Sequence, residues 1–259
     1  TPGCGAGADS RTCVVIVSAT DDAGTATQQT ITVTITDTND QTPVYQAADA
    51  DDAISVNENV GTGSIDAGTI TDTDTVGTYG CTLGGADAAD FACSISGSTV
   101  NVAFASSPDY ENPADADTNN VYIVTVLIDD GANDDANGAT TLTITVADLN
   151  DQAPSFTSSN AVNVAEGATA VVTLAATDTD TADSGGLAYA IVTDDPAGGT
   201  QFTLTGTSLT IAAQDYETPG CGAGADSRTC VVIVSATDDA GTATQQTITV
   251  TITDTNDQT

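Results

Sequence analysis

Residues 247–253 read Thr-Ile-Thr-Val-Thr-Ile-Thr, and residues 30–36 repeat that stretch letter for letter. Strict alternation of threonine with β-branched apolar residues is typical of a β-strand with one buried face and one face in water. An apolar segment at 231–236 comes before the first stretch, and Asp-Asp followed shortly by Gly lies between them, so the pair predicts a β-hairpin. Residues 122–128 and the alternating segment 142–146 predict a second hairpin. No helical period with caps occurs, which makes the chain all-β.

The chain is built from repeats at two levels. Residues 1–42 recur without change at 218–259, a period of 217 residues. A looser repeat superposes 43–150 on 153–257, so the unit is about half the period, close to the ~100 residues of a seven-stranded immunoglobulin-like sandwich. The sequence therefore predicts tandem Greek-key sandwiches of about seven strands each. Their predicted bounds are 1–42 for the last two strands and linker of one domain, 43–152 for a complete domain, and 153–259 for a complete domain that ends in the next linker.

The composition restricts the partners of the chain. It has 37 acidic residues, no His, Lys, Met or Trp, and a formal net charge of −35, with Arg11 and Arg228 as its two cationic side chains. Repulsion of phosphate excludes nucleic acid as a partner. The excess of carboxylates destabilises a compact state unless external cations neutralise it. No apolar run approaches the ~20 residues of a membrane helix and no signal-peptide pattern opens the sequence, so we expect any signal or anchor to lie beyond this segment.

Six cysteines form three closely spaced pairs, which are Cys4 with Cys13, Cys81 with Cys93, and Cys221 with Cys230. An even count at short spacing predicts disulfides and an oxidising compartment, with buried free thiols as the alternative. In the looser repeat, Cys81 and Cys93 fall where Ile191 and Leu204 lie, so we expect them to bridge strands across the core. The other two pairs flank Gly- and Ala-rich hairpins and are expected to clip an inserted loop. An extracellular or cell-surface location follows.

Carboxylates recur at five separated places with the same local pattern. Calcium takes six to eight oxygen ligands from carboxylates, amides and backbone carbonyls, and Asp-x-Asn-Asp supplies that mixture in four residues. In an extended segment Asp148 and Asn150 share one side while Asp151 faces another, so one linker can serve two neighbouring ions. Asp178-x-Asp180 likewise places two carboxylates on one side.

The order Asn-Glu-Asn or Ala-Glu-Gly, Thr-Asp-Thr-Asp, Asp-Tyr-Glu, a lone Asp at a strand end, and Asp-x-Asn-Asp-Gln-(Ala/Thr)-Pro closely resembles cadherin repeats over nearly the whole chain. The resemblance implies a row of three Ca²⁺ ions at each junction between repeats. The resemblance is to a prokaryotic-type extracellular array. Eukaryotic adhesive cadherins use an exposed N-terminal Trp that this chain lacks, so we expect no strand swapping of that kind. The linker ends in Gln rather than Asn and the Asp-x-Glu motif contains Tyr rather than Arg. Neither position carries a coordinating carboxylate.

Transferred residue by residue, the resemblance implies three sets of calcium ligands. The junction between the two complete domains takes Glu58, Asp109, Glu111, Asp148, Asn150 and Asp151 with Asp178, Asp180 and Asp238. The preceding junction takes Asp37, Asn39 and Asp40 with Asp72, Asp74 and Asp130. The following junction takes Glu166, Asp215, Glu217, Asp254, Asn256 and Asp257. At the strand end we choose Asp130 over Asp129, because Asp130 keeps the alternation that leads to Asp238 in the other copy. Acids outside the motifs, such as Asp115 and Asp135, are expected on a solvated surface.

Two functions fit these features. The first is a calcium-rigidified structural repeat of an extracellular stalk, fibre or filament, whose partners are neighbouring copies of the same repeat in a covalent array or a head-to-tail filament. The second is a calcium-dependent adhesin that binds a surface protein or glycan. An enzyme is disfavoured, because the chain has no histidine and its cysteines are paired, so the usual nucleophile–base pairs cannot be assembled.

Overall fold

The computed structural model describes residues 12–48, 53–74, 77–180, 186–194, 201–221 and 228–256. Its elements are strands, apart from one 3-10 turn at Ala88–Asp90, so the all-β prediction is confirmed. The chain divides into two compact units: unit 1 comprises Thr1–Pro108 with Ala114–Thr145, and unit 2 comprises Asp109–Pro113 with Val146–Thr259. Each unit is described below by itself.

Unit 1 begins with an antiparallel hairpin of β1 (Thr12–Thr20) and β2 (Ala26–Thr34). The Asp21 carboxylate accepts hydrogen bonds from the backbone N–H groups of Ala23 at 3.0 Å and Thr25 at 2.8 Å, which fixes the turn. Gly24 closes this turn at a φ of 83°, a left-handed conformation that disfavours other residues. This is the first of the predicted hairpins.

The rest of unit 1 is a sandwich of two sheets. Its strands are β3 (Val44–Gln46), β4 (Ala53–Asn57), β5 (Ser64–Asp66), β6 (Thr69–Thr71), β7 (Gly80–Gly84), β8 (Phe91–Ser96), β9 (Thr99–Phe104), β10 (Val121–Asp129) and β11 (Thr140–Ala147). One sheet has the order β4-β11-β10-β7, and the other has the order β3-β6-β9-β5 with β8 paired to β9. Edge-to-face contacts of Tyr122 with Phe91 and Phe104 occupy the core. The predicted Cys81–Cys93 disulfide is confirmed and joins β7 in one sheet to β8 in the other.

Unit 2 repeats this architecture. Its strands are β12 (Ser155–Phe156), β13 (Ala161–Ala165), β14 (Ala170–Thr173), β15 (Ala176–Thr177), β16 (Ala188–Thr193), β17 (Phe202–Thr205), β18 (Ser208–Ile211), β19 (Thr229–Thr237) and β20 (Ala243–Thr253). One sheet has the order β13-β20-β19-β16, with β13 parallel to β20; β14-β18-β17 and β12-β15 form the opposite side. Every second residue of β19 and β20 enters the core, as the alternation predicts. The Cys221–Cys230 disulfide is also confirmed, whereas Cys4 of the third pair lies outside the described residues.

Each sandwich has nine strand segments where about seven strands were expected, because the first two strands are interrupted. The first strand is split into β3 and β4 in unit 1 and into β12 and β13 in unit 2. The second strand is split into β5 and β6 in unit 1 and into β14 and β15 in unit 2. Register shifts between Ser64 and Asp66, and between Ala170 and Val172, mark bulges in the second strand. Counted as interrupted strands, the segments give the predicted number.

The expectation that acids outside the motifs lie on a solvated surface is wrong for Asp115 and Asp135, which are only 3% and 6% exposed. Asp135 Oδ2 accepts a hydrogen bond from the backbone N–H of Tyr45 at 2.7 Å. Asp115 accepts one from the backbone N–H of Asn119 at 2.8 Å. Hydrogen bonds from backbone N–H groups compensate the burial of these carboxylates.

Candidate metal centre

Three carboxylates of unit 2 meet where β13 and β18 end. Oxygens of Glu166, Asp215 and Glu217 all lie within 4.8 Å of one another. The Glu166 carboxylate accepts hydrogen bonds from the N–H of Tyr216 at 2.9 Å and from the N–H of Thr255 at 2.7 Å. Both hydrogen bonds lower the pKa of Glu166 below its ordinary value, and the bond from Tyr216 contributes most. The backbone therefore fixes this carboxylate in its charged form beside two others.

The Asp-x-Glu motif owes its shape to its own backbone. The Asp215 carboxylate accepts hydrogen bonds from the N–H groups of Glu217 at 2.9 Å and Thr218 at 3.1 Å, and the pKa of Asp215 is lowered, chiefly by bonding to Thr218. Downstream, Asp254 accepts from the N–H of Asn256, whose φ is 55°. Asp257, the last predicted ligand of this set, lies outside the described residues.

A second carboxylate group in unit 2 joins the linker to the segment after β15. Oxygens of Glu111, Asp151 and Asp180 all lie within 4.8 Å of one another. Asp180 is 6% exposed, and its Oδ2 accepts a hydrogen bond from the N–H of Gln152 at 2.9 Å. The Asp180 N–H in turn donates to Asp178 Oδ1 at 3.2 Å. The Asp-x-Asp motif thus holds the linker backbone against the sandwich.

Two buried oxygens of the Asp-x-Asp motif at this second group lack hydrogen-bond donors. Within the described parts of the chain, Asp178 Oδ2 and Asp180 Oδ1 are buried and have no hydrogen-bond partner. A buried carboxylate oxygen that nothing compensates costs free energy, so natural proteins supply a donor, a water or a metal ion there. The three neighbouring carboxylates could hold a metal ion, which would compensate these oxygens.

The Asn150 side chain points into the same place. One terminal atom of its amide lies 3.1 Å from Asp180 Oδ2 and 3.2 Å from Asp238 Oδ2. Amide oxygen and nitrogen exchange places by a half-turn. With nitrogen in this position the amide donates to both carboxylates; with oxygen there, three oxygens from three segments face one another, which suits a hard cation such as Ca²⁺ or Mg²⁺.

Unit 1 carries the same arrangement in its own residues. Asp74 Oδ2 accepts hydrogen bonds from the N–H groups of Asp40 at 2.8 Å and Gln41 at 2.7 Å, and the Asp74 N–H donates to Asp72 Oδ1 at 3.0 Å. The Asn39 amide donates to the backbone oxygen of Asp130 at 2.9 Å. Linker, Asp-x-Asp motif and strand end therefore converge in both units.

Asp130 is the strand-end acid of unit 1. It is 1% exposed, and within the described residues its Oδ2 and the Oδ1 of Asn39 are buried without a hydrogen-bond partner. Burial raises the pKa of Asp130, but hydrogen bonds from the N–H groups of Asn133 and Ala132 outweigh it, so the net pKa is lowered. Asp130 therefore stays the predicted ligand at this strand end.

The remaining predicted ligands lie in linkers and beside strand ends. Glu58 directly follows β4 and is 2% exposed, and Asp109 accepts a hydrogen bond from the N–H of Asn112 at 3.0 Å. Asp37 and Asp148 are half-buried in their linkers. Among the residues that the structure describes, the three-carboxylate groups closer than 4.8 Å do not include Asp37, Asp40, Asp72, Asp74 or Asp130. At the linker of unit 1 the Asn39 amide and separate carboxylates lie where unit 2 has such a group.

Comparison with known proteins finds one matching protein family. Residues 160–253 match the family model described as Cadherin domain. Over these residues the chain is similar to cadherin domains. This stretch includes Glu166, Asp178, Asp180, Asp215 and Asp238. No curated protein sequence matches the chain significantly.

Solved structures extend the cadherin fold over most of the chain. It is similar to the extracellular cadherin domains 1-5 of protocadherin gamma B2, with 22% identity and a TM-score of 0.63 over 96% of this chain and 47% of that one. Human protocadherin-24 EC1-2 is 20% identical with a TM-score of 0.59, over 83% of this chain and 100% of that one. Mouse cadherin-23 EC22-24 is 22% identical with a TM-score of 0.55, over 94% and 74% of the two chains.

Other similar structures are longer than this chain, which spans 60% of the protocadherin gammaB7 EC3-6 chain and so less than two thirds of it. At these identities the likeness carries the fold alone. In the described residues no helix is long and apolar enough to cross a membrane.

Proposed function

We propose that this chain is a calcium-rigidified structural repeat of an extracellular stalk, fibre or filament. Its cadherin-like domains would be 43–152 and 153–259, with 1–42 as the end of a further domain. The buried, unpartnered oxygens of Asp178 and Asp180 carry this proposal. The pairing of all described cysteines supports an oxidising, extracellular setting.

The residues present fit Ca²⁺ better than a transition metal. The donors at both groups of unit 2 are carboxylate and amide oxygens, and the chain has no histidine. In the role we propose, Glu111, Asp151, Asp178, Asp180 and Asn150 hold the ion. Bound calcium would supply positive charge that offsets their mutual repulsion and restricts the linker that contains residues 148–152. Cadherin domains have structural and adhesive roles, which agrees with the non-catalytic role that we propose.

Calcium binding can be followed through tyrosine, because Tyr216 lies between Asp215 and Glu217. Terbium, which replaces calcium at oxygen sites, should luminesce when tyrosine is excited, and added Ca²⁺ should quench that signal. Asp180→Asn should lower the number of bound ions measured by calorimetry. Asp134→Asn removes the same charge from an exposed position and is the matched control.

The stalk role requires that calcium changes the mechanics of the chain. Scattering profiles and digestion with a protease that cuts beside acidic residues should both respond to EDTA: the chain should become more flexible and be cut within 148–152. Unchanged stiffness and protease resistance without calcium would rule this role out, whereas saturable binding to a glycan or a cell surface would favour the adhesin.

A further inference from the structure

The hairpin formed by β1 and β2 leaves an apolar face uncovered. Val15, Val17, Ile31, Val33 and Ile35 are between 42% and 50% exposed. Within the described residues β1 and β2 pair only with each other, as a two-stranded sheet. Such a sheet is at best marginally stable in water by itself, and contiguous exposed apolar side chains mark a contact surface.

The same sequence is fully buried in unit 2. Val232, Val234, Ile248, Val250 and Ile252 are the counterparts of those five residues one period later, and each is at most 1% exposed. The difference in exposure therefore does not come from the sequence.

Nor does it come from the conformation of the hairpin. The cross-strand pair Cys13–Val33 in the first copy has the same register as Cys230–Val250 in the second. The turns also agree, since Asp238 accepts a hydrogen bond from the N–H of Thr242 as Asp21 does from Thr25. The hairpin is preformed in the shape that the sandwich uses.

Most of what covers the second copy lies within residues 153–217, and Cys221 of the following segment belongs to the same core cluster. Strand β13 pairs with the outer edge of β20, and β16 pairs with the outer edge of β19. From the opposite side, Leu174, Phe202 and Leu209 pack against the face of the hairpin in one core cluster. These contacts define the shape and the chemistry that the uncovered face of β1–β2 fits.

We propose that the β1–β2 hairpin docks a copy of residues 153–217 that precedes it in the same polypeptide, with residues 1–11 as the connection. Residues 1–11 have the sequence of 218–228, which joins the same two parts in unit 2. A second molecule is a poorer source, because its own 153–217 segment is already covered by β19 and β20 at the millimolar effective concentration of a tethered partner. Exchange between molecules would bury no additional surface.

Single added thiols test this proposal with matched positions. V17C and V234C place the same substitution in the two copies, at 43% and 0% exposure of the parent residue. In the 259-residue chain with calcium, V17C should react with a maleimide at least about 100-fold faster than V234C, since reaction of a buried thiol needs local opening. In a chain extended by a copy of 153–217 ahead of Thr1, the V17C rate should fall to within about tenfold of the V234C rate. An unchanged V17C rate in the extended chain would overturn the proposal.

Two sets of control variants separate docking of the hairpin from unspecific protection of the thiol. An extension in which the copies of Leu174 and Leu209 are replaced by Asp should not protect the thiol. S18C and S235C repeat the comparison with a near-isosteric change, at an exposed and a buried position, should the valine variants fail to fold. Protection of V17C in the unextended chain at raised protein concentration would place the occupant on a second molecule and overturn the proposal as well. The face carries no metal ligand, so this result is independent of the calcium-binding proposal.

Discussion

Asp180→Asn should change stability in opposite directions with and without calcium. Oxygens of Glu111, Asp151 and Asp180 lie within 4.8 Å of one another, and one neutralised member removes two of the three repulsive pairs. Each pair costs about 1 kcal/mol at a water-like dielectric, and salt reduces that value, so the variant should gain about 1–2 kcal/mol in EDTA. The amide oxygen of the new side chain can still accept the Gln152 hydrogen bond, so the linker contact is kept.

In calcium the order should reverse. With a dissociation constant of about 10⁻⁴ to 10⁻³ M, as in extracellular modules, 10 mM Ca²⁺ stabilises the native chain by about 1.4–2.7 kcal/mol per site. Loss of a carboxylate ligand should remove most of that gain at this site.

Differential scanning calorimetry of one preparation in EDTA and in 10 mM Ca²⁺ measures the change in Tm under both conditions. Asp134→Asn is the control of equal charge. The reasoning fails if Asp180→Asn shifts the Tm in the same direction under both conditions, or if the control reproduces the reversal.

Three further predictions follow from the same structure. Tyr45→Phe removes the hydroxyl that donates to Asp66 Oδ2 at 2.6 Å in a buried site, and should cost about 1.5–3 kcal/mol by urea unfolding; a cost under about 0.5 kcal/mol contradicts that bond. Ile252→Ala should cost about 2–5 kcal/mol, and Ile35→Ala far less because its parent side chain is 50% exposed; equal costs in a denaturation series would refute the difference in burial. Because the pKa of Glu166 is lowered in the folded chain, its carboxylate stabilises the fold at pH values above the ordinary glutamate pKa of about 4.3. This stabilisation is lost as the pH falls through the folded pKa. Glu166→Gln in EDTA should therefore flatten the dependence of Tm on pH in this acidic range.

The sequence predicts the strands and the order of the ligand motifs because both depend on short spacing. Alternation over seven residues is enough to place β20, and Asp-x-Asn-Asp is enough to place a linker. The buried acids Asp66, Asp87 and Asp135 could not be foreseen, because each accepts a hydrogen bond from a backbone N–H group or a tyrosine hydroxyl of a segment distant in sequence. In a chain with 37 acids, nothing local distinguishes them from solvated ones.

Contacts between segments within a sandwich were equally hidden. Strand pairing places Leu174 of unit 2 where Ile70 lies in unit 1, since the N–H of Leu174 donates to the Thr207 oxygen as the N–H of Ile70 does to the Ser98 oxygen. Unit 1 also contains Gly68, where a Cβ would lie 2.7 Å from the Tyr45 hydroxyl oxygen, so the Tyr45 side chain occupies the space above this glycine. Such a contact between two segments cannot be read from either position alone.

The loop that follows the Asp-Tyr-Glu motif is closed in chemically different ways in the two repeats. In unit 2 the segment after Asp-Tyr-Glu is closed by the Cys221–Cys230 disulfide. In the looser repeat the corresponding segment holds no cysteine, and there the Asp115 carboxylate accepts from the N–H groups of Asn119 and Asn120. Burial raises the pKa of Asp115, but these bonds outweigh it and keep the net pKa low, so the clamp stays charged at neutral pH. The two loops should therefore respond to different agents: reduction should loosen only the loop of unit 2, and acid only the one that Asp115 closes.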